Sequence, residues 1–507
     1  MQETVPGPPG GPWTQPAARY PALSGPARAD VVVVGGGIAG LTTAVLLARA
    51  GARVRVLEAG AVGQGTTGGS TAKVTALQAR RLSHLREVHG DAVLAPYVEA
   101  QLAGQRWIEA RAGERDVACG LERLPASTYV TDPERVGSID DEAEAARLAG
   151  LPVEVVDDDP DLPFATARAV RLADQLQVDP RAWVADLAAE VAAQPGCAVH
   201  EGSRVVDVAA GHRSVATEDG RVEAGHVVLA TLLPISDRGL LFARTEPTMS
   251  YGLALEVAGS RPPVMAYGAD RSTRSLRPAR IGEGPVLLVG GEGHPVGRGR
   301  GTEQQSRLLE WARSHFEVTA VRHRWAAHDL QSTDLLPFAG RADRLPGSPW
   351  VASGFGKWGL TNGTAAAMTI AGRITEPSGD GRAWDALFDP RRSHPLAGYR
   401  SAARHNAGVA AQMARGWASA GSATTARGPE VTRQGLVPTA AGPGGCRLSL
   451  ACTHQRGIVR WNEAERTWDC PLHGSRFAED GSVVAAPARR PLRRVEGPSD
   501  GDDDGAG

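Results

Sequence analysis

The sequence predicts an α/β protein with three parts: a Rossmann-like domain, an inserted α+β domain with an antiparallel sheet, and a small all-β domain near the C-terminus. Three observations predict this fold class. A four-valine strand leads into a glycine turn and a helix, apolar runs alternate with Gly and Pro turns over residues 245–330, and a compact turn-rich stretch covers residues 434–492.

Length and net charge indicate how many structural units the chain has and which partners it does not bind. The chain has 507 residues, too many for one compact core, and a formal net charge of -2 at pH 7 leaves no basic excess for nucleic acid. No apolar run approaches the roughly 20 residues that span a bilayer. We therefore expect a cytoplasmic protein of several units that binds neither nucleic acid nor a membrane, and the oligomeric state stays open.

The order of these patterns predicts discontinuous domains. We assign residues 1–29 to a flexible extension, 30–90 with 165–245 and 330–398 to the nucleotide-binding domain, 91–164 with 246–329 to the substrate domain, 399–433 to a helix and linker, 434–492 to the all-β domain, and 493–507 to a disordered tail. Helical patterns rich in Ala, Leu and Glu fill most of residues 76–195.

The first element is a nucleotide-binding turn. The valines at 31–34 are followed by Gly35, Gly37 and Gly40 in a G-x-G-x-x-G pattern, and a helix pattern comes next. The first glycine makes the tight turn, the second lets the backbone approach a pyrophosphate, and the third lets the helix pack closely on the strand. The motif predicts a dinucleotide, and by itself it leaves FAD and NAD open.

A second strand, residues 53–57, leads into a segment of small hydroxyl residues. It ends in Glu58, which is placed to accept hydrogen bonds from ribose hydroxyls. Residues 63–75, Gly-Gln-Gly-Thr-Thr-Gly-Gly-Ser-Thr-Ala-Lys-Val-Thr, follow where a flavin chain would run. Because no His or Cys lies from Glu58 to Thr75, a covalent flavin link is excluded there.

Three further stretches follow in an order that resembles a known family. They are His226-Val-Val-Leu-Ala-Thr, the residues at 324–329 and 334–340, and Gly354-Phe-Gly-Lys-Trp-Gly-Leu-Thr-Asn-Gly. Over about residues 30–375 the chain resembles the D-amino acid oxidase/glycine oxidase superfamily of FAD enzymes. The resemblance implies non-covalent FAD, with the last of these stretches against the isoalloxazine ring.

The motif and the resemblance together predict the residues that contact FAD. They are Gly35, Gly37, Ile38, Ala39, Gly40, Glu58, Ala59, Thr67, Ser70, Thr71, Ala72, Ala230, Thr231, Gly354, Gly356, Lys357, Trp358 and Gly359. Lys357 is also the candidate for stabilising negative charge on reduced flavin, and a solvated surface lysine is the alternative. Arg274, Arg277 and His294 are candidates for contacting an acidic substrate, although the abundance of arginine favours structural roles.

A second glycine-rich strand, residues 286–297, does not predict a second dinucleotide site. Val296 stands where the third glycine of the motif would have to be. We therefore expect electrons to enter from a small organic substrate and not from a nicotinamide.

The second chemical site is a pair of Cys/His loops. Cys452-Thr-His454 is followed, after fifteen residues, by Cys470-Pro-Leu-His473. Two thiolates can hold one iron and two imidazoles the other, and zinc is the alternative metal. The flanking residues 461–477 and 480–481 resemble Rieske domains, which implies a [2Fe-2S] cluster on these four ligands.

The cluster loops depart from respiratory Rieske proteins in two ways. Gly457 and Leu472 stand where those proteins carry a disulfide, so we expect packing alone to hold the loops. Ser475 matches a serine that donates to the cluster in high-potential members, but Phe477 stands where they have a tyrosine. The sequence therefore predicts a lower potential than in the respiratory proteins.

Together the motifs predict an FAD-dependent oxidoreductase, of amine or amino acid dehydrogenase or oxidase type. Hydride would pass to flavin, and electrons would leave singly through the cluster to an external acceptor or O₂. A Rieske oxygenase is disfavoured because only about thirty residues follow His473. A non-enzymatic electron carrier or redox sensor is the alternative.

Overall fold

The computed structural model describes residues 11–14, 19–209, 211, 213–282, 284–393, 395–419, 429–442 and 446–495. The strands of this part of the chain are β1 (Gly25–Val34), β2 (Val54–Leu57), β3 (Lys73–Val74), β4 (Glu122–Val130), β5 (Glu154–Val156), β6 (Arg168–Gln177), β7 (Ala198–His200), β8 (Asp207–Val208), β9 (Ser214–Ala216), β10 (Gly220–Leu229), β11 (Thr245–Val257), β12 (Met265–Gly268), β13 (Arg274–Ile281), β14 (Gly284–Pro295), β15 (Val318–Ser332), β16 (Phe338–Arg341), β17 (Trp350–Ser353), β18 (Val431–Gln434), β19 (Val437–Ala441), β20 (Arg447–Ser449), β21 (Arg460–Asn462), β22 (Thr467–Asp469), β23 (Arg476–Ala478), β24 (Val483–Ala485) and β25 (Arg494–Val495).

The helices of the same residues are α1 (Ile38–Arg49), α2 (Arg81–His89), α3 (Leu94–Glu114), α4 (Val136–Leu148), α5 (Pro180–Ala193), α6 (Gly301–His315), α7 (Gly359–Thr375), α8 (Asp385–Phe388) and α9 (Leu396–Ser419), with 3-10 turns at Asp91–Val93, Pro133–Arg135 and Arg238–Arg244. Among them, none combines the length and the apolar character that crossing a membrane requires.

The first sheet is the nucleotide-binding framework. Its strand order is β16-β17-β10-β1-β2-β7, with β8 and β9 extending it from β10. The central strand β1 pairs in parallel with both β2 and β10. Its valines at 31–34 are buried on both faces, and α1 packs against α5 and α7 beside it. This burial explains the uninterrupted apolar run in the sequence.

The second sheet is mostly antiparallel and has the order β15-β11-β14-β13-β12-β4-β6-β3, with β5 on β6. Strand β11 pairs antiparallel with β14 and β15, and β13 pairs antiparallel with β14. Helix α6 packs against β11 and β14. These pairings confirm the predicted antiparallel sheet over residues 245–330.

The C-terminal region is all-β. Two four-stranded antiparallel sheets, β18-β19-β20-β25 and β21-β22-β23-β24, enclose a small core that includes Trp468, Leu472 and Phe477. The α/β body followed by a small all-β unit confirms the predicted fold class. The domain boundary positions stay a prediction.

The N-terminal prediction was wrong for the residues that the structure describes there. Trp13 is only 5% exposed, Leu23 is buried, and β1 begins at Gly25 rather than at residue 30. The indole N–H of Trp13 donates to the Ser70 carbonyl oxygen at 2.8 Å. Pro and Gly content alone suggested flexibility, whereas one buried tryptophan is enough to hold the segment on the body.

Other local predictions also need correction. Within residues 76–195 the strands β4, β5 and β6 interrupt the predicted helices, because pairing within the second sheet overrides the Ala and Leu composition. The predicted helix and linker over residues 399–433 end early, since β18 begins at Val431. In the predicted tail, Arg494 and Val495 form β25, and residues 496–507 lie outside the described residues.

Candidate active site and metal centre

The glycine turn between β1 and α1 leaves no room for side chains. Gly35 has a φ of +113°, and a Cβ on it would lie 2.4 Å from the Ala230 carbonyl oxygen. A Cβ on Gly40 would lie 2.0 Å from the Gly35 carbonyl oxygen. The close approach of turn, helix and strand therefore requires glycine at these two positions.

Backbone N–H groups gather at the N-terminus of α1. The Ile38 N–H donates to Thr67 Oγ1 at 3.1 Å, so the small-residue segment closes over this terminus. Glu58 accepts from the N–H groups of Gly36 at 2.7 Å and Gly60 at 2.8 Å, and burial raises the pKa of its carboxyl. The predicted pyrophosphate and ribose contacts thus lie side by side, in a cradle that fits an anionic dinucleotide.

The segment that follows β2 is fixed by buried hydrogen bonds. Ser70 Oγ accepts from the Ala72 N–H at 2.9 Å, and Ala72 has a left-handed φ of 52°. Arg277 donates to the carbonyl oxygens of Thr71 and Ala72, and its guanidinium lies over the Trp13 ring. Burial lowers the pKa of Arg277 to about 9.

The three candidates for contacting an acidic substrate, Arg274, Arg277 and His294, already have partners within the protein. Arg277 is occupied by backbone carbonyls, and Arg274 forms a buried ion pair with Glu292 at 2.8 Å. His294 stacks on Tyr251 and lies 3.1 Å from its hydroxyl. The arrangement supports structural roles for both arginines.

Lys73 is a buried group that the motif analysis did not single out as a site residue. Its Nζ donates to Ser275 Oγ and lies 3.4 Å from Thr71 Oγ1. Burial lowers the pKa of this lysine to about 7. The available signal was a lysine inside the small-residue segment of a chain with only one other, Lys357.

The turn before α7 adopts left-handed backbone conformations at Gly354, Gly356 and Lys357. Arg81 donates to the Gly356 carbonyl oxygen at 2.7 Å, which fixes the turn against the body. The Lys357 side chain is exposed, and its backbone N–H donates to the carboxylate of Asp329. Contact of this turn with a flavin stays a prediction.

The four Cys and His residues of the C-terminal unit lie together. The Cys452 and Cys470 side chains lie beside each other, and their interaction lowers the pKa of Cys452 to about 6. The rings of His454 and His473 have centroids 5.2 Å apart, and His473 Nδ1 is buried with no partner. Two adjacent thiols beside two adjacent imidazoles fit the two-and-two ligation of a Rieske cluster.

Backbone hydrogen bonds close both ligand loops. The Cys452 N–H donates to the Gly457 carbonyl oxygen, and the Cys470 N–H donates to that of Ser475, each at 2.8 Å. Ser475 Oγ accepts from the Ala488 N–H at 3.0 Å, and its hydroxyl helps to lower the pKa of the Cys452 thiol. A Cβ on Gly457 would lie 2.5 Å from Leu472 Cδ1, so leucine fills the space between the loops.

Residues of the body cover the two histidines. His454 Nε2 lies 3.2 Å from Asp237 Oδ1, which leaves Nδ1 for a metal. Phe242 packs edge-on against His473 with ring centroids 5.1 Å apart. Asp237 and Phe242 were not predicted from the sequence, because they lie more than 200 residues from the ligands and belong to no motif.

A third contact joins the second ligand loop to residues 63–75, the small-residue segment after β2, which we call the flavin-side segment. A Cβ on Gly474 would lie 2.8 Å from His328 Nε2, and the His328 carbonyl oxygen accepts from Thr66 Oγ1 at 2.8 Å. Both ring nitrogens of His328 are buried without a partner, and burial lowers its pKa to about 3. Thus one buried histidine contacts both predicted cofactor regions.

The fold and the two sites define an oxidoreductase body joined to an iron-sulfur unit. Residues 30–373 match the family model of FAD dependent oxidoreductases (DAO), and residues 446–496 match the Rieske [2Fe-2S] domain. The chain belongs to this DAO family of FAD-dependent oxidoreductases and carries a C-terminal Rieske domain. FAD and a Rieske [2Fe-2S] cluster are its cofactors.

Relatives share either the whole arrangement or one part of it. A Bacillus subtilis protein named as a Rieske 2Fe-2S iron-sulfur protein, YhfW, is 29% identical over 94% of this chain and 95% of its own. The cytochrome b6-f complex iron-sulfur subunit of a Synechococcus species is 44% identical over 55 residues, 11% of this chain and 32% of its own.

Solved structures resemble the body. Glycine oxidase from Geobacillus kaustophilus has a TM-score of 0.58 and 20% identity, covering 72% of this chain and 99% of its own. L-proline dehydrogenase from P. horikoshii has a TM-score of 0.57 and 18% identity, covering 72% and 98%. At these identities the likeness establishes the fold.

Proposed function

We propose that this oxidoreductase dehydrogenates a small amine or amino acid and passes the electrons singly to an external acceptor. FAD would supply a hydride acceptor, and the Rieske cluster would supply a one-electron carrier. Glycine oxidase and L-proline dehydrogenase, which share the body fold, are named for amino acid substrates. This likeness supports the choice of substrate class.

The contact at His328 is the observation that best supports electron transfer between the flavin and the cluster. Its ring lies against Gly474 in the second ligand loop, while its carbonyl oxygen is bonded to Thr66 in the flavin-side segment. Asp237 and Phe242 bind and cover the ligand histidines from the body side. A cluster docked in this way suits electron exchange within one chain.

The chain's own residues would bind and position the cofactors as the sequence predicts. Gly35, Gly37 and the first turn of α1 would hold the pyrophosphate, and Glu58 the ribose. Lys73, with a pKa of about 7, can hold or release a proton at Nζ near neutral pH. Lys357 would stabilise negative charge on the reduced flavin.

The test is anaerobic mixing of the holoprotein with a panel of amines and amino acids. Flavin absorbance and low-temperature EPR of the cluster are recorded together. We expect one compound to bleach the flavin and to produce a Rieske-type EPR signal. If only a chemical reductant produces that signal and no compound bleaches the flavin, the carrier or sensor alternative replaces the dehydrogenase.

A further inference from the structure

A cavity of about 200 Å³ opens beside the second ligand loop. Strand β11, the residues after β14, and helix α9 form its walls, and Pro471 and Leu472 complete them. Those two residues lie between the ligands Cys470 and His473. A molecule in this cavity would therefore lie against the loop that carries two of the predicted cluster ligands.

The cavity wall is rich in cations. Arg298 and Arg404 both line it, both side chains are exposed, and within the described residues neither forms an ion pair. The facing carboxylate is Glu246, whose Oε1 lies 3.6 Å from His405 Nδ1. Two guanidinium groups thus lack a counter-ion at a concave surface, which favours an anionic ligand.

His405 adds a buried imidazole to this wall. Only 8% of its side chain is exposed, and its Nε2 is buried without a hydrogen-bond partner. The cavity wall therefore holds an imidazole beside the two exposed guanidinium groups.

The neighbouring surface reinforces the positive field. Arg460 donates to the Gly297 carbonyl oxygen and to Gln412 Oε1 beside the cavity. Burial lowers its pKa, and repulsion from Arg298 and Arg415 lowers it further. The ligand histidines themselves are covered by Asp237 and Phe242, so a small molecule reaches the ligand loop through Pro471 and Leu472.

We infer that this arginine cavity, defined by Arg298, Arg404 and His405, binds the acidic group of the external electron acceptor. The acceptor is a small molecule that carries a carboxylate or a phosphate. The inference rests on the proposed function, in which the cluster is the point of electron exit. In the transfer the reduced cluster loses one electron and the acceptor gains it, and no bond forms or breaks.

The first test is equilibrium binding of hexacyanocobaltate(III), a redox-inert trianion, to the oxidised holoprotein by calorimetry. We expect one saturable site, weakened about tenfold or more in the double variant Arg298→Gln/Arg404→Gln because two charge-assisted contacts are lost. The control Arg28→Gln/Arg221→Gln makes the same change in net charge on exposed residues of β1 and β10. Equal binding by the two double variants would overturn the site.

The second test is oxidation of the dithionite-reduced holoprotein in a stopped-flow instrument. The rate at which hexacyanoferrate(III) oxidises the cluster should saturate with its concentration, and hexacyanocobaltate(III) should inhibit this oxidation competitively. In the double variant Arg298→Gln/Arg404→Gln the oxidation should be about tenfold slower. Oxidation by the cation hexaammineruthenium(III) should not slow. Equal slowing with both oxidants would contradict an anion site.

These tests fail separately from the proposed function, because dithionite replaces the substrate. If the two anion tests succeed but no amine reduces the flavin, the cavity proposal stands and the dehydrogenase proposal is rejected. An amine that reduces the cluster, with no anion dependence in either test, would retain the dehydrogenase and reject the cavity.

Discussion

Gly40 lies where α1 crosses the glycine turn, and a Cβ there would be 2.0 Å from the Gly35 carbonyl oxygen. The substitution Gly40→Ala must push the helix from the turn, so we expect loss of FAD during purification. The ratio of flavin to protein absorbance measures it. Gly113→Ala in α3, where a Cβ meets nothing within 4 Å, is the control and should keep its flavin. A Gly40→Ala protein with full FAD would contradict the predicted site.

Lys73 should make stability depend on pH. Its pKa is about 7 in the folded protein and about 10.4 when unfolded. The unfolded state therefore binds the extra proton between these values, and stability rises with pH across that window. Relative to Lys73→Met, the native protein should be at the greatest disadvantage below about pH 7 and recover toward about pH 10.

Melting temperatures of the two holoproteins at about pH 6 and about pH 9 would measure this difference. Arg221→Met, which removes an exposed cation of β10 outside both predicted cofactor sites, is the control and should show no such trend. A Lys73→Met difference that is the same at both pH values would argue against a buried neutral amine.

Phe477 sets the expectation for the cluster potential. It is fully buried in β23, where a tyrosine would add a hydroxyl donor. We expect Phe477→Tyr to raise the potential by roughly 50 mV, because one charge-assisted hydrogen bond to the reduced cluster is worth about 1–2 kcal/mol. Ser475→Ala, which removes a hydroxyl that helps to lower the pKa of Cys452, should lower the potential. A redox titration followed by EPR in which both variants match the native protein would refute the hydrogen-bond account.

At the scale of elements, α9 contacts and stabilises the first ligand loop, which lacks the disulfide of respiratory Rieske proteins. Trp417 in α9 donates its indole N–H to the Arg456 carbonyl oxygen at 3.2 Å, and a Cβ on Gly416 would lie 3.1 Å from Ile458 Cβ. Helix and loop are therefore in direct contact, beside the packing of Leu472 on Gly457. A hydrogen bond from α9 therefore adds to the packing that was expected to hold the loops alone.

Removing this contact should loosen the cluster. Trp417→Ala loses packing and a hydrogen bond, so we expect about 1–2 kcal/mol less stability and roughly 5–30-fold faster loss of the EPR signal on storage. Arg400→Ala, an exposed position on the same helix, should behave as the native protein. If the Trp417→Ala protein lost its EPR signal no faster than the native protein, α9 would not be what stabilises this loop.

Element prediction succeeded where local pattern and burial agree. The β1-α1-β2 unit follows from its valines and glycines, because burial on both faces leaves an uninterrupted apolar strand. Strands β4 and β6 were missed, since they pair with each other and β4 also pairs with β12, and no local pattern contains these pairings. Asp237 and Phe242 were missed for the same reason, and His328 lay in a family-like stretch without an assigned role, because only the docking of distant segments brings the three residues to the ligand loop.

At the scale of the whole molecule, the body and the iron-sulfur unit share one set of contacts. The similarity to YhfW runs through both parts, over 94% of this chain. Within the described residues, His328 lies between the flavin-side segment and the ligand loop, and Asp237 bonds a ligand histidine. These contacts are the physical basis for proposing a single electron path.

The measurement that tests this path most directly compares the native protein with Cys470→Ser, which loses a cluster thiolate. Each is reduced anaerobically by the active amine and mixed with hexaammineruthenium(III), and flavin reoxidation is followed by stopped flow. The account predicts equal FAD content and equal flavin reduction by the amine, but reoxidation slowed about tenfold or more in the variant. Equal reoxidation rates would contradict it, because electrons would then leave the flavin without the cluster.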